Sequence, residues 1–200
     1  MRNAFAAAAV LLLGGTAWAQ QAPSPAPAPH GHGAAPGAQQ QRPMSDQDLI
    51  ASAMSAAPKS VAEGATIVVM DANNNARTLR QGTNGWTCMP DSPASPGQDP
   101  MCLDQNAMEW AGAWIGKRPP PDKIGFVFML AGGSDASNTD PYATGPSAGG
   151  TWIDTGPHVM IVGPAAARMA GYPRGVQPDT SQPYVMWPGT PYEHLMIPIR

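Results

Sequence analysis

Proline and glycine punctuate this chain so often that no long regular element fits between them. There are 24 prolines and 22 glycines among 200 residues. Proline fixes φ and lacks the backbone donor, and glycine loses the most conformational freedom on ordering, so both tend to end helices and strands. The chain is therefore expected to fold as short elements joined by many turns. Charged side chains are sparse at 12% and the net charge is −3. No basic stripe is available to follow a phosphate backbone, which excludes nucleic acid as a partner class.

The first 19 residues set the compartment. Arg2 gives a positive start, residues 4–13 form an apolar run too short to span a bilayer, and Ala17, Trp18 and Ala19 make a small-x-small ending. That pattern predicts a secretory signal peptide over 1–19, cleaved before Gln20. No cysteine follows the cut, which argues against a lipoprotein anchor. Loss of Arg2 takes the net charge to −4. Residues 20–43 contain Ala, Pro, Gln and Gly without apolar periodicity, so they are expected to be a disordered tether. His30 and His32 lie in it as His-Gly-His and have no fixed geometry there. Residues 44–200 are expected to form a single globular domain with no membrane span, either periplasmic or secreted.

Within that domain, Ser45 and Asp48 predict a capped helix ended by Pro58, with Leu49, Ile50, Ala53, Met54 and Ala57 on one face. Residues 65–70 read as a strand, 71–75 as a turn and 77–80 as its hairpin partner. Residues 85–89 form another strand, and the prolines of 90–100 a surface loop. Asp104 is expected to cap a helix over 105–115, with Met108, Ala111 and Ile115 along one side and Trp110 and Trp114 on a neighbouring stripe. Residues 124–130 predict a central strand and 131–150 a long polar loop. Strands follow at 158–162, 184–187 and 194–199, with a short helix at 165–170. Pro198 should turn the end of the last strand into an edge. The expected fold class is α+β, a mostly antiparallel sheet with short helices and long Gly/Pro-rich loops.

Cys88 and Cys102 are the two cysteines. An oxidising compartment favours a disulfide between them, and the Cys-x-x-Cys spacing of thiol oxidoreductases is absent.

Five strings carry a resemblance: GTNGWTCMPD at 82–91, DPMCLD at 99–104, GSDASNTDPY at 133–142, GPHVMIVG at 156–163 and YEHLMIP at 192–198. Together they resemble a family of small exported bacterial proteins of uncharacterised function, over roughly residues 65–200. The resemblance implies a single exported domain. It assigns no activity or catalytic residue.

Three constellations are candidate sites. His158 and His194 each open an apolar strand, and with methionine sulfur they offer ligands for copper or zinc. Twelve methionines are present, and Met89 and Met101 flank the cysteines. Against a metal, no Met-x-Met cluster appears, and methionine is also a common core filler. The same histidines, if their strands are neighbours and the rings meet, would suit a His-dependent hydrolase or isomerase, with Asp154 or Glu193 orienting an imidazole. Asp135, Asn138 and Asp140 are oxygen donors in the long loop, but without the spacing of a calcium loop. With Tyr142 and Trp152 they mark a possible ligand surface. No catalytic constellation reaches motif strength. The leading expectation is therefore a non-catalytic binding module for a small molecule, a surface polymer or an envelope protein.

Overall fold

The computed structural model describes residues 44–199, except 72, 74, 165–167, 169 and 170. The expected signal peptide, the tether and all but one residue of the helix expected at 165–170 lie outside the described residues.

Eight strands form one sheet in the order β2-β1-β3-β4-β5-β8-β10-β9. They are β1 (Thr66–Met70), β2 (Ala76–Arg80), β3 (Thr87–Met89), β4 (Met101–Leu103), β5 (Gly125–Met129), β8 (His158–Val162), β9 (Tyr184–Met186) and β10 (His194–Pro198). Two short strands, β6 (Ser134–Asp135) and β7 (Ile153–Asp154), pair separately. Within the large sheet every neighbouring pair is antiparallel except β1 and β3. With three short helices, α1 (Asp46–Met54), α2 (Lys59–Ala62) and α3 (Gln105–Ile115), this is the expected α+β architecture. Among the described residues, no helix is long and apolar enough to cross a membrane.

Local chemistry explains where the helices begin. At α1 the Ser45 hydroxyl accepts from the Asp48 amide at 3.2 Å and Asp48 Oδ2 accepts from the Ser45 amide at 3.1 Å, a reciprocal capping box. At α3 Asp104 does two jobs. Its Oδ1 accepts from the Ala107 amide at 2.7 Å and its Oδ2 from the Phe126 amide at 3.1 Å, so the cap ties the helix to β5. Gly125 makes that closeness possible, because a Cβ there would lie 2.4 Å from the Ala107 backbone nitrogen.

Side chains alternate across the sheet, giving it two packed faces. On one, Ala53, Ala56, Ala57, Ala62 and Ala65 surround Ile67, Cys88 and Cys102. On the other, α3 covers Leu103, Val127, Val162, Met129 and Met196. The disulfide is present: Cys88 and Cys102 face each other across β3 and β4, are completely buried, and close a loop of 14 residues.

Two expectations need correction. The expected α3 face of Met108, Ala111 and Ile115 is not the buried one. Ala107, Trp110 and Ala113 are buried and Ile115 is 51% exposed, because the bulky Trp110 takes the side facing the sheet. β4, α2, β6 and β7, at two to four residues, are additional to the expected elements, and β6 falls inside the expected loop 131–150. The last strand behaves as expected: β10 lies between β8 and β9 over His194–Met196, and beyond Met196, opposite the first residue of β9, Pro198 is paired on one side alone.

Candidate functional site

Beneath α3 the packing leaves a cavity of about 220 Å³. Five methionines line it (Met101, Met129, Met160, Met186 and Met196), along with Trp110, Trp114 and Trp187. Its polar groups are His158, His194, Thr155, Ser134, Asp135 and Asp99. A mostly apolar chamber with a few convergent polar atoms is the usual form of a small-ligand site.

Both histidines are held in one orientation. His158 Nδ1 lies 2.7 Å from the Gly156 carbonyl, and His194 Nδ1 lies 3.0 Å from the Tyr192 carbonyl. A carbonyl only accepts, so each Nδ1 carries the proton and each Nε2 is left with its lone pair. Burial lowers the pKa of both rings, that of His194 to about 4, and keeps the imidazoles neutral at neutral pH. His158 is 2% exposed, and its Nε2 has no hydrogen-bond partner. Thr155 Oγ1, beside it in the cavity wall, is also unpartnered. Gly133 backs onto both: a Cβ there would lie 2.5 Å from Thr155 Oγ1 and 2.9 Å from His158 Cε1. His194 sits under the aromatic wall, edge-on to Trp187 at 4.9 Å and to Trp110 at 5.3 Å.

Trp187 has φ of 54°, left-handed backbone that a bulky residue rarely adopts. Its amide donates to the Asn138 carbonyl at 2.7 Å and its indole Nε1 to the Ser137 carbonyl at 3.1 Å. The long loop therefore holds Trp187 over the cavity. Asn138 is completely buried and donates to the Gly175 and Val185 carbonyls at 2.7 and 3.1 Å, so it pins β9 to the loop.

The remaining sequence candidates are dispersed. β8 and β10 are neighbours, but the antiparallel register pairs His158 with Pro198, which puts His194 at the far end of the strand pair. Four residues of strand amount to about 13 Å, so the rings share a cavity without meeting at one edge. Asp154 is exposed and accepts from the Gly156 amide at 2.9 Å in a tight turn. Glu193 is buried, ion-paired with Arg174 at 2.6 Å and bonded to the Gly189 amide at 2.7 Å. Neither carboxylate hydrogen-bonds an imidazole. Asp135 and Asp140 accept from the amides of Ser137 and Tyr142, each at 2.9 Å, as turn-forming side chains. Asp135 also reaches the cavity wall, and burial pushes its carboxyl up to about 6. Tyr142 donates to the Trp114 carbonyl at 3.1 Å and lies under Lys117 Nζ at 4.6 Å. Trp152 and Asp154 border a separate surface groove with Gly97 and Gly132, which shares Ser134 with the cavity.

Sequence reasoning did not single out Met129, Met160, Met196 and Thr155 as a group. The available signal was spacing: Met160 and Met196 each lie two residues after a histidine, hence on the same strand face. Among the described residues, no three His, Cys, Asp or Glu side chains come together as a metal site. No family model, curated protein or solved structure matches the chain.

Proposed function

We propose that this chain is an exported, non-catalytic binding domain, periplasmic or secreted, of the kind its sequence strings resemble, and that it holds a small ligand in the cavity under α3. The observation that carries this is His158. A buried imidazole nitrogen without a partner costs about 1–3 kcal/mol, and it faces a chamber of about 220 Å³. A ligand that engages Nε2 removes that cost. The chamber's size favours a small molecule over a polymer or a protein partner, because an engineered apolar cavity of about 150 Å³ already takes benzene. Catalysis is not favoured, since Asp154 and Glu193 are committed to other partners.

The test is a fragment screen by protein-observed NMR on the mature protein, using monocyclic phenols and azoles. Binders should shift the Trp110 and Trp187 indole resonances and lose affinity about tenfold or more in His158→Ala. Absence of any fragment that perturbs those indoles would refute the cavity as the binding site.

A further inference from the structure

Four side chains at one end of the cavity form a block that the sheet register defines. His158 pairs with Met129 across β8 and β5. Met160 lies two residues beyond His158 on the same strand face, and Met196 pairs with Met160 across β8 and β10. All four line the cavity. Directly paired residues on one face have Cβ atoms about 4.5–5.5 Å apart, and a methionine sulfur on its flexible stem covers that span easily. Three thioether side chains and the His158 imidazole therefore line the cavity as neighbours on three adjacent strands, β5, β8 and β10.

We propose that this block is a binding site for a monovalent soft metal ion, Cu(I), with His158 Nε2 and the sulfurs of Met129, Met160 and Met196 as ligands. The proposal rests on the cavity being the binding site and names its cargo. The donor set decides the ion. Thioether and imidazole suit Cu(I), whereas zinc sites are built from thiolate, imidazole and carboxylate. No such cluster exists among the described residues, and the cysteines are bonded to each other. The block takes His158 without His194, because the register places the two histidines at opposite ends of the β8–β10 pair. Nor is the block explained by core filling alone. Filler methionines close a gap, whereas here they surround an open cavity and a buried nitrogen without a partner. The contact of Nδ1 with the Gly156 carbonyl supplies the outer-shell hydrogen bond that metal-bound histidines normally have.

The test uses the mature chain carrying His30→Ala and His32→Ala, so that the tail adds no ligand. It is titrated without oxygen with Cu(I) against a chromophoric Cu(I) chelator, and separately with Ag(I), which does not change oxidation state. The expected result is one ion per chain and an X-ray absorption spectrum dominated by sulfur with a single nitrogen. His158→Ala and Met160→Leu should each weaken binding about tenfold or more, while Met70→Leu, on β1 remote from the cavity, should leave it unchanged. Met160→Leu keeps the apolar volume, and its near-UV circular dichroism checks that the domain is intact. Failure to compete with the chelator, or equal affinity in the wild type and both cavity variants, would overturn the proposal. If Cu(I) fails while fragments still shift the indoles, the cavity remains a binding site and only the metal is lost; if both fail, both readings fall.

Discussion

Under α1 and α2 the sheet is packed by alanines and a disulfide; under α3 it is packed by methionines, tryptophans and histidines. Ala53, Ala56 and Ala65 are completely buried, as are both cysteines. Small side chains bring α1 close to β3 and β4, and the covalent bond fixes what little area they bury. The α3 face has larger side chains and yet leaves a cavity, together with unpartnered atoms on Trp110, Thr155 and His158. Protein interiors are ordinarily close-packed and buried polar atoms are ordinarily paired. One face follows both rules and the other breaks both. The difference separates the part of the sheet that holds the fold from the part that is available to a ligand.

The largest way to break this comparison is to cut the staple. Cys88→Ala with Cys102→Ala frees a loop of 14 residues, and the unfolded chain gains freedom worth about 3 kcal/mol. Urea unfolding should show a lower midpoint, and the extrapolated unfolding free energy should fall by that amount. No change would mean that the alanine face does not depend on its covalent bond.

A matched pair of substitutions comes next. Ala53→Leu forces a larger side chain into a site with 0% exposure, at a cost of about 1–3 kcal/mol. Met196→Leu is a near-isosteric change beside open space and should cost less than about 1.5 kcal/mol. Chemical denaturation of the two variants side by side measures the contrast. Equal costs would show that the α3 face is packed as tightly as its opposite and that the cavity is not an adaptable chamber.

The sequence made the scaffold legible because its signals are local. Ser45 and Asp48 mark one helix start and Asp104 another, and β-branched runs mark β1 and β8. The pairing of Cys88 with Cys102 followed from compartment alone. The site was legible only in part, because it is assembled by pairing between strands distant in sequence. Both His158 and His194 stood out, but whether they meet depends on a register that no local pattern specifies. Met129 lies 29 positions before its partner His158, so no spacing motif links them. Conversely, Asp135, Asn138 and Asp140 looked like ligands because turn-forming and ion-binding residues are the same residue types; their hydrogen bonds show turns and a pinned edge strand.

Proton linkage distinguishes the faces most finely, since His158, His194 and Asp135 line the cavity on the α3 side while, among the described residues, the buried cluster on the alanine side contains only alanine, isoleucine and the bonded cysteines. Burial holds His194 at about 4 and pushes Asp135 up to about 6. In the unfolded chain they titrate near about 6.5 and 3.9. Between pH 4 and 6 unfolded His194 therefore holds a proton that the folded form lacks, so its contribution to stability is lost as pH falls. Asp135 works in the opposite direction: the folded form holds the extra proton, and its contribution is lost as pH rises. The two slopes largely offset each other in the native protein, with His158 adding to the side of His194. Asp135→Asn removes one of them. Stability of that variant should then fall toward pH 4 more steeply than in the native protein, by one proton or about 1.4 kcal/mol per pH unit. His194→Gln should tilt the profile the other way, and unfolding curves at pH 4, 5 and 6 read both. If Asp135→Asn leaves the slope untouched, Asp135 is ionised in the folded state across this range. The cavity then offers a ligand a carboxylate in the same wall as His158, and that wall is less apolar than its methionines suggest.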